Sequence, residues 1–158
     1  MDKEKAIIDF LLSCPQIHDN PLYFNFLNAK DNNKQLVTIA NDKAINKAYI
    51  DGSVLRRYTF TLIDYRTVAY QAVVKTAGYP NENLEEYLDI QSMLDWITTQ
   101  AEARNFPNFG TDCIIEKMWT ATDQPSLNGI DSNTSPALAK YSISIQIDYL
   151  DISKQLWK

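Results

Sequence analysis

A regular alternation of apolar and polar residues runs through the segment Ala139–Asp151, whose sequence is AKYSISIQIDYLD. The apolar positions of this alternation are Tyr141, Ile143, Ile145, Ile147 and Tyr149. Successive side chains of a strand point to opposite faces of a sheet, so the segment predicts one long strand with an apolar face and a polar face. A strand of this kind is typical of an antiparallel sheet that is covered on one side.

The rest of the chain supplies the other elements of such a domain. Apolar residues at helical spacing predict a short helix over residues 3–13, ended by Pro15, and a long helix from Asn83 to the terminating segment Asn105–Gly110. Further strands are predicted at residues 22–28, 35–40, 54–65 and 113–121. We therefore expect residues 1–158 to form a single α+β domain, a mostly antiparallel sheet with two helices packed on one face. The isoleucines of the last strand are expected to meet three apolar residues of the long helix, Leu88, Leu94 and Ile97.

Three segments between and after these elements lack a regular pattern. Residues 41–53 are polar and close with the turn signal Asp51-Gly52. Residues 122–136 are interpreted as a structureless loop of unusual length, and loops of that length are usually functional or disordered. The tail Ile152–Lys158 follows the last strand.

Composition narrows the classes of protein to consider. A hydrophobic fraction of 45% and a charged fraction of 22% are typical of a globular domain, and a net charge of −5 disfavours general binding to nucleic acid or to anionic membranes. No apolar run approaches the ~20 residues that span a bilayer, and the N-terminus lacks the pattern of a signal peptide, so we expect a protein made in the cytoplasm. Five cations in one third of the chain are interpreted as solvated, with a local basic patch as the alternative: Lys43, Lys47, Arg56, Arg57 and Arg66.

The search for chemistry yields no catalytic, cofactor-binding or metal-binding candidate. The single histidine, His18, lacks the partners of a zinc site or a catalytic triad, and the glycines are too scattered for a phosphate-binding loop. Cys14 and Cys113 are interpreted as small buried hydrophobes rather than as a redox or metal pair. The acidic residues at the start of the long helix are interpreted as solvated: Glu82, Glu85, Glu86 and Asp89.

Apolar residues in otherwise polar places point to contact with another chain. Leu127 and Ile130 lie in the long loop, and Leu156 and Trp157 lie in the tail. Exposed apolar groups of this kind mark interaction surfaces, so these four residues are the candidate subunit interface. The alternative is that Trp157 folds back onto its own domain.

The chain as a whole resembles small structural proteins encoded in the tail modules of phages and of phage-tail-like bacteriocins of Gram-positive bacteria, often described as minor capsid proteins. The resemblance extends over residues 4–150, and the segments that show it are NPLYFNF, DNNKQLVTIAND, DGSVLRRYTFTLIDYRTVAY, GYPNENLEEYLDIQSMLDWI, FGTDCIIEKM and SPALAKYSISIQIDYLD. Within that group, the chain is similar in size to the tail terminator family. No motif with fixed functional residues accompanies the resemblance.

The resemblance implies a structural protein without enzymatic activity or cofactor. In the tail terminator family, the domain forms a hexameric ring (a collar) that caps the tail tube, and the sheath where the tail is contractile, and stops its growth. The implied partners are further copies of the chain, tube and sheath subunits and the head–tail connector, with no membrane and no specific nucleic acid. The protein would be assembled from the bacterial cytoplasm into a virion tail or a tail-like particle, such as a contractile injection system.

Two alternatives to a tail terminator stay open at this point. One is a head–tail completion protein or another minor structural protein of the same particle. The other is a monomeric small-molecule-binding domain or accessory enzyme, for which an acetyl-transfer activity would require a well-placed catalytic histidine. A ring would elute at several times the chain mass of 18.1 kDa, and an accessory domain would elute near it.

Overall fold

The computed structural model of the chain describes residues 3–17, 22–24, 34–38, 43–67, 82–122, 124–131 and 138–156. The helices in these ranges are α1 (Lys3–Leu12) and α2 (Glu82–Glu102). The strands are β1 (Leu22–Phe24), β2 (Lys34–Thr38), β3 (Lys43–Ala48), β4 (Val54–Thr67), β5 (Cys113–Thr120), β6 (Ser126–Asp131) and β7 (Leu138–Asp151).

The centre of the sheet is the antiparallel pair of β4 and β7, each 14 residues long. The two strands are paired along their whole length, from Val54 opposite Asp151 to Thr67 opposite Leu138. The outer edge of β4 pairs with β2 and β3, and the outer edge of β7 pairs with β5 and β6. Among the described strands, β1 and β2 form the one parallel pair. The prediction of an α+β protein with a mostly antiparallel sheet is therefore confirmed.

One face of the central pair is apolar because every second residue is large and hydrophobic. Phe60 lies opposite Ile145, and Leu62 lies opposite Ile143. All four side chains are at most 1% exposed. The same core cluster contains residues of both helices, which are Ala6, Ile7 and Leu11 of α1 and Ile90, Met93, Leu94 and Ile97 of α2.

Two of the three helix residues that were predicted to meet the last strand are buried in the core. Leu94 and Ile97 lie in the same core cluster as the isoleucines of β7. The prediction is wrong for Leu88, whose side chain is 50% exposed. Leu88 precedes the buried Ile90 by two positions, which places it about 200° around the helix and away from the buried stripe.

Two segments predicted to be irregular contain strands. The polar stretch 41–53 includes β3, and the long loop 122–136 includes β6. Both strands pair with one side of a long central strand, and each shows a shift in register that marks a β-bulge. The interpretation of residues 122–136 as a structureless loop is therefore wrong for Ser126–Asp131, while residues 132–136 lie outside the described residues.

The helices agree closely with the sequence prediction. The helix α1 ends at Leu12, one residue before the predicted end, and α2 begins one residue before Asn83. The end of α2 is capped by Arg104 with φ of 57°, which allows Asn105 N–H to bond the carbonyl oxygen of Gln100 at 2.9 Å. Over the described residues, neither helix combines the length and the apolar character that a membrane crossing requires.

Candidate functional site

Two of the candidate interface residues lie together on the edge strand β6. Leu127 pairs with Tyr141 of β7, and Ile130 pairs with Ala139, with the bulge between them. Residues three positions apart face opposite sides of a regular strand. The extra residue of the bulge brings Leu127 and Ile130 to the same face of the sheet, the face that bears the core. Gly129, with φ of 128°, provides the backbone conformation at this bulge. Leu127 and Ile130 are 55% and 52% exposed, and we call this pair the edge patch.

The tail prediction is revised for residues 152–156, which contact their own chain. The backbone N–H of Leu156 donates to the carbonyl oxygen of Asp51 at 2.7 Å. The side-chain amide of Gln155 donates to the carboxylate of Asp51, also at 2.7 Å. These residues therefore lie against the turn between β3 and β4 rather than extending from the domain; Trp157 lies outside the described residues.

This contact gathers three exposed apolar residues at one corner of the sheet. Ile50 is 97% exposed, Leu156 is 69% exposed and Tyr49 is 47% exposed. We call these three residues the apolar corner. Tyr49 and Ile50 were not among the residues predicted from sequence, although an isoleucine directly before the turn signal Asp51-Gly52 indicates an exposed position.

The edge patch and the apolar corner lie at opposite ends of the sheet. The edge patch pairs with the first residues of β7, and the apolar corner follows the last residue, Asp151. About ten strand residues separate Tyr141 from Asp151, which corresponds to about 33 Å at the usual rise of a strand. The structure therefore divides the candidate residues Leu127, Ile130 and Leu156 into two separate surfaces.

A buried arginine joins β4 to α2. The guanidinium of Arg66, whose side chain is 5% exposed, bonds the carboxylates of Asp64 at 2.9 Å, Glu86 at 2.8 Å and Asp89 at 2.7 Å. Burial alone would lower the pKa of Arg66, but the charge of Asp64 and the hydrogen bonds to all three carboxylates outweigh burial and raise it. The interpretation of Glu86 and Asp89 as merely solvated is therefore wrong. The sequence gives no cue to this cluster because β4 and α2 meet only in the fold.

Two further arginines of β4, Arg56 and Arg57, are also paired with acids. Arg57 donates two hydrogen bonds to Asp148, at 2.9 and 3.2 Å, and these raise its pKa. Its guanidinium also lies 5.0 Å from the ring centre of Trp119. Arg56 pairs with Asp151 at 3.0 Å. The arginines of this region therefore form neither a free basic patch nor a simply solvated surface.

The described residues contain no cluster of acids, histidines or cysteines that could hold a metal ion. His18 lies outside them. Cys14 is buried as predicted, and Cys113 is partly buried against the core. In the groove between α1 and residues 106–108, the charged lining residues are Lys5 and Asp9, which pair with each other at 2.8 Å.

The sequence matches none of the models of known protein families and none of the curated proteins with which it was compared.

Proposed function

We propose that the protein is a structural subunit of a phage tail or phage-tail-like particle, and that it caps the end of the tail tube as a hexameric ring. The observation that carries this proposal is the presence of two exposed apolar surfaces, the edge patch and the apolar corner, at opposite ends of one sheet. A ring of identical subunits requires a head-to-tail contact in which two different surfaces of the same chain meet. The resemblance to tail terminator proteins agrees with this geometry.

The edge strands support a contact through side chains rather than through sheet extension. An open strand edge is a template for pairing with another chain, and bulges and lysines reduce that tendency. Among the described outer strands, register shifts occur in β3, β5 and β6 but not in β1 and β2. β3 also has two lysines, Lys43 and Lys47. We infer that the edge patch of one copy meets the apolar corner of the next.

The arrangement of the helices is part of the same proposal. We infer that α1 and α2 cover the same face of the sheet, because their apolar residues share one core cluster with the apolar residues of β4 and β7. The opposite face is half-exposed toward the end of β7, at Arg57, Gln146 and Asp148, whereas Ile63, Tyr65 and Leu138 form a second buried cluster toward its start. In this proposal, the half-exposed part of that face contacts tube, sheath or connector subunits in the assembled particle.

The test is to add the purified protein to growing tail tubes and to measure tube length by electron microscopy. We expect tubes of uniform length with a ring at one end. Leu127→Ser/Ile130→Ser should give overlong tubes while leaving the far-ultraviolet circular dichroism spectrum unchanged. Leu88→Ser, which alters an equally exposed leucine on α2, is the matched control and should cap tubes normally.

Uniform tubes with the edge-patch variant would contradict the proposed contact. A wild-type protein that leaves tube growth unchanged but joins completed tails to heads would instead support the head–tail completion role. Both results separate the proposal from an accessory enzyme, which would affect neither step.

A further inference from the structure

The two segments that meet at the apolar corner contain the same Asp-x-Ser turn. In Asp51-Gly52-Ser53, one carboxylate oxygen of Asp51 accepts from the backbone N–H of Ser53 at 3.0 Å and from its hydroxyl at 2.6 Å. In Asp151-Ile152-Ser153, Asp151 accepts from Ser153 at the same two distances, 3.0 and 2.6 Å. Each carboxylate therefore fixes the local backbone with one oxygen and keeps the other oxygen for a second partner.

The second oxygens connect the two segments. Asp51 accepts from the side-chain amide of Gln155 at 2.7 Å. Asp151 accepts from the guanidinium of Arg56 on β4 at 3.0 Å. Gln155 and Leu156 thus hold one end of residues 152–156 to the β3–β4 turn, and at the other end the backbone N–H of Ile152 donates to the carbonyl oxygen of Asp112 at 2.9 Å. We call residues 152–156 the strap.

The fit between the strap and the turn is also steric. Gly52 has φ of 91°, and a Cβ atom added there would clash with the carbonyl oxygen of Lys154. The strap can take its observed position only because residue 52 has no side chain. Backbone of the strap and backbone of the turn are in direct contact at this point.

The strap contributes little to the apolar core. Ser153, Lys154 and Leu156 are exposed, and no strap residue belongs to a core cluster. Segments held by solvent-accessible hydrogen bonds with few buried apolar contacts open at a lower free energy than the rest of a fold. The strap therefore has a well-defined closed position, but it buries little apolar surface that would have to be exposed on opening.

We propose that the strap is a conformational switch that assembles the apolar corner. When the strap is closed, its hydrogen bond to Asp51 holds Leu156 at the β3–β4 turn, at the same corner of the sheet as Ile50. When it is open, Leu156 leaves and the β3–β4 turn loses its support. The consequence for assembly rests on the proposed function: only the closed strap presents a complete surface to the next subunit.

Hydrogen exchange with mass spectrometry of the C-terminal peptide tests the switch itself. Gly52→Ala should abolish the protection of the Leu156 amide, because the new methyl group displaces the strap. Gly129→Ala is the matched control, since Gly129 also has a positive φ but nothing lies within 4 Å of an added Cβ. Protection of Leu156 should be unchanged in that variant. Gln155→Ala, which removes one donor at the surface, should give a partial loss of protection without any steric change.

Wild-type-like protection of the Leu156 amide in both Gly52→Ala and Gln155→Ala would overturn the proposal. The assembly consequence is tested on tail tubes, where both Gly52→Ala and Ile50→Ser should increase tube length. Normal capping by a variant whose strap is shown to be open would overturn the role of the strap in assembly. If the wild-type protein does not cap tubes at all, the proposed function fails, and the switch is then judged by the exchange result alone.

Discussion

Neighbouring residues of β7 differ in what they contribute to stability because they face opposite sides of the sheet. Ile145 is fully buried in the core cluster, so Ile145→Ala should lower the free energy of unfolding by about 2–5 kcal/mol. Ser144 faces the other side and lies 3.0 Å from the hydroxyl of Thr61, so Ser144→Ala should cost about 1 kcal/mol. Urea denaturation of both variants measures the difference. Equal losses would mean that the two faces of β7 are not distinguished in solution.

The pair of Arg66 and Asp64 is the most buried ion pair among the described residues, with side chains 5% and 1% exposed. Arg66→Met removes the guanidinium from Asp64, which is 1% exposed, and should cost about 3–5 kcal/mol because a buried carboxylate loses its counter-charge. Arg57→Met is the matched control, since its ion pair with Asp148 is partly exposed, and it should cost about 0–1 kcal/mol. Thermal or urea unfolding of the two variants provides the comparison. Similar small losses would show that the carboxylate of Asp64 is reached by water.

At the scale of elements, the carboxylates of the two Asp-x-Ser turns make the strap sensitive to acid. Hydrogen bonds from Gln155 and then Ser53 lower the pKa of Asp51 from its ordinary value of 3.8. Burial alone would raise the pKa of Asp151, but the hydrogen bonds from Ser153 and Arg56 outweigh it, and the pKa of Asp151 is also lowered. A carboxylate whose pKa is lowered by folding stabilises the folded contact at pH values above its pKa in the unfolded chain. This stabilisation is lost as the pH falls through the pKa of the folded state.

The strap should therefore be closed near neutral pH and should open at a pH below 3.8, as both carboxylates become protonated. The backbone amide resonance of Leu156, followed by NMR during acidification, should shift toward its random-coil position in this range. Asp51→Asn should show a weaker pH response. An opening that begins near pH 6–7 would instead assign the titration to a group with the pKa range of histidine.

The elements differ in how well the sequence predicted them, and the reason lies in where their pairing energy comes from. β4 and β7 are two-faced strands with a buried side, so their alternation is visible in the sequence itself. β3, with the sequence KAINKA, and β6, with the sequence SLNGID, have residues of low strand propensity. They form strands because they pair with the edges of β4 and β7. Pairing with a distant strand leaves no local pattern in the sequence. The edge patch was recognised as apolar from sequence, but its shared face depends on the bulge at Gly129.

At the scale of the whole molecule, the described elements other than β1 fall into two halves in which the elements follow the same order. The first half consists of α1, the strands β2 and β3 along one edge, and the long strand β4; the second consists of α2, β5 and β6, and β7. The two long strands pair antiparallel along their full length, so the halves are related by an approximate two-fold rotation in topology. This two-fold rotation does not bring the apolar corner onto the edge patch, because the corner lies at the β3–β4 turn and the patch lies on β6. The asymmetry provides the two different surfaces that a head-to-tail contact needs.

Mixing two variants tests whether those surfaces meet each other. Leu127→Ser/Ile130→Ser removes the edge patch and keeps the apolar corner, whereas Ile50→Ser/Leu156→Ser removes the corner and keeps the patch. In a head-to-tail contact, neither variant associates with itself, but one intact corner can bind one intact patch. We expect each variant alone to remain at 18.1 kDa by light scattering and the equimolar mixture to give dimers without larger rings. If assembly requires the tube, the same comparison is made on tube ends, where the mixture should bind but fail to close. Self-association of one variant alone would show that its intact surface contacts the same surface of another copy, and the head-to-tail assignment would then be wrong.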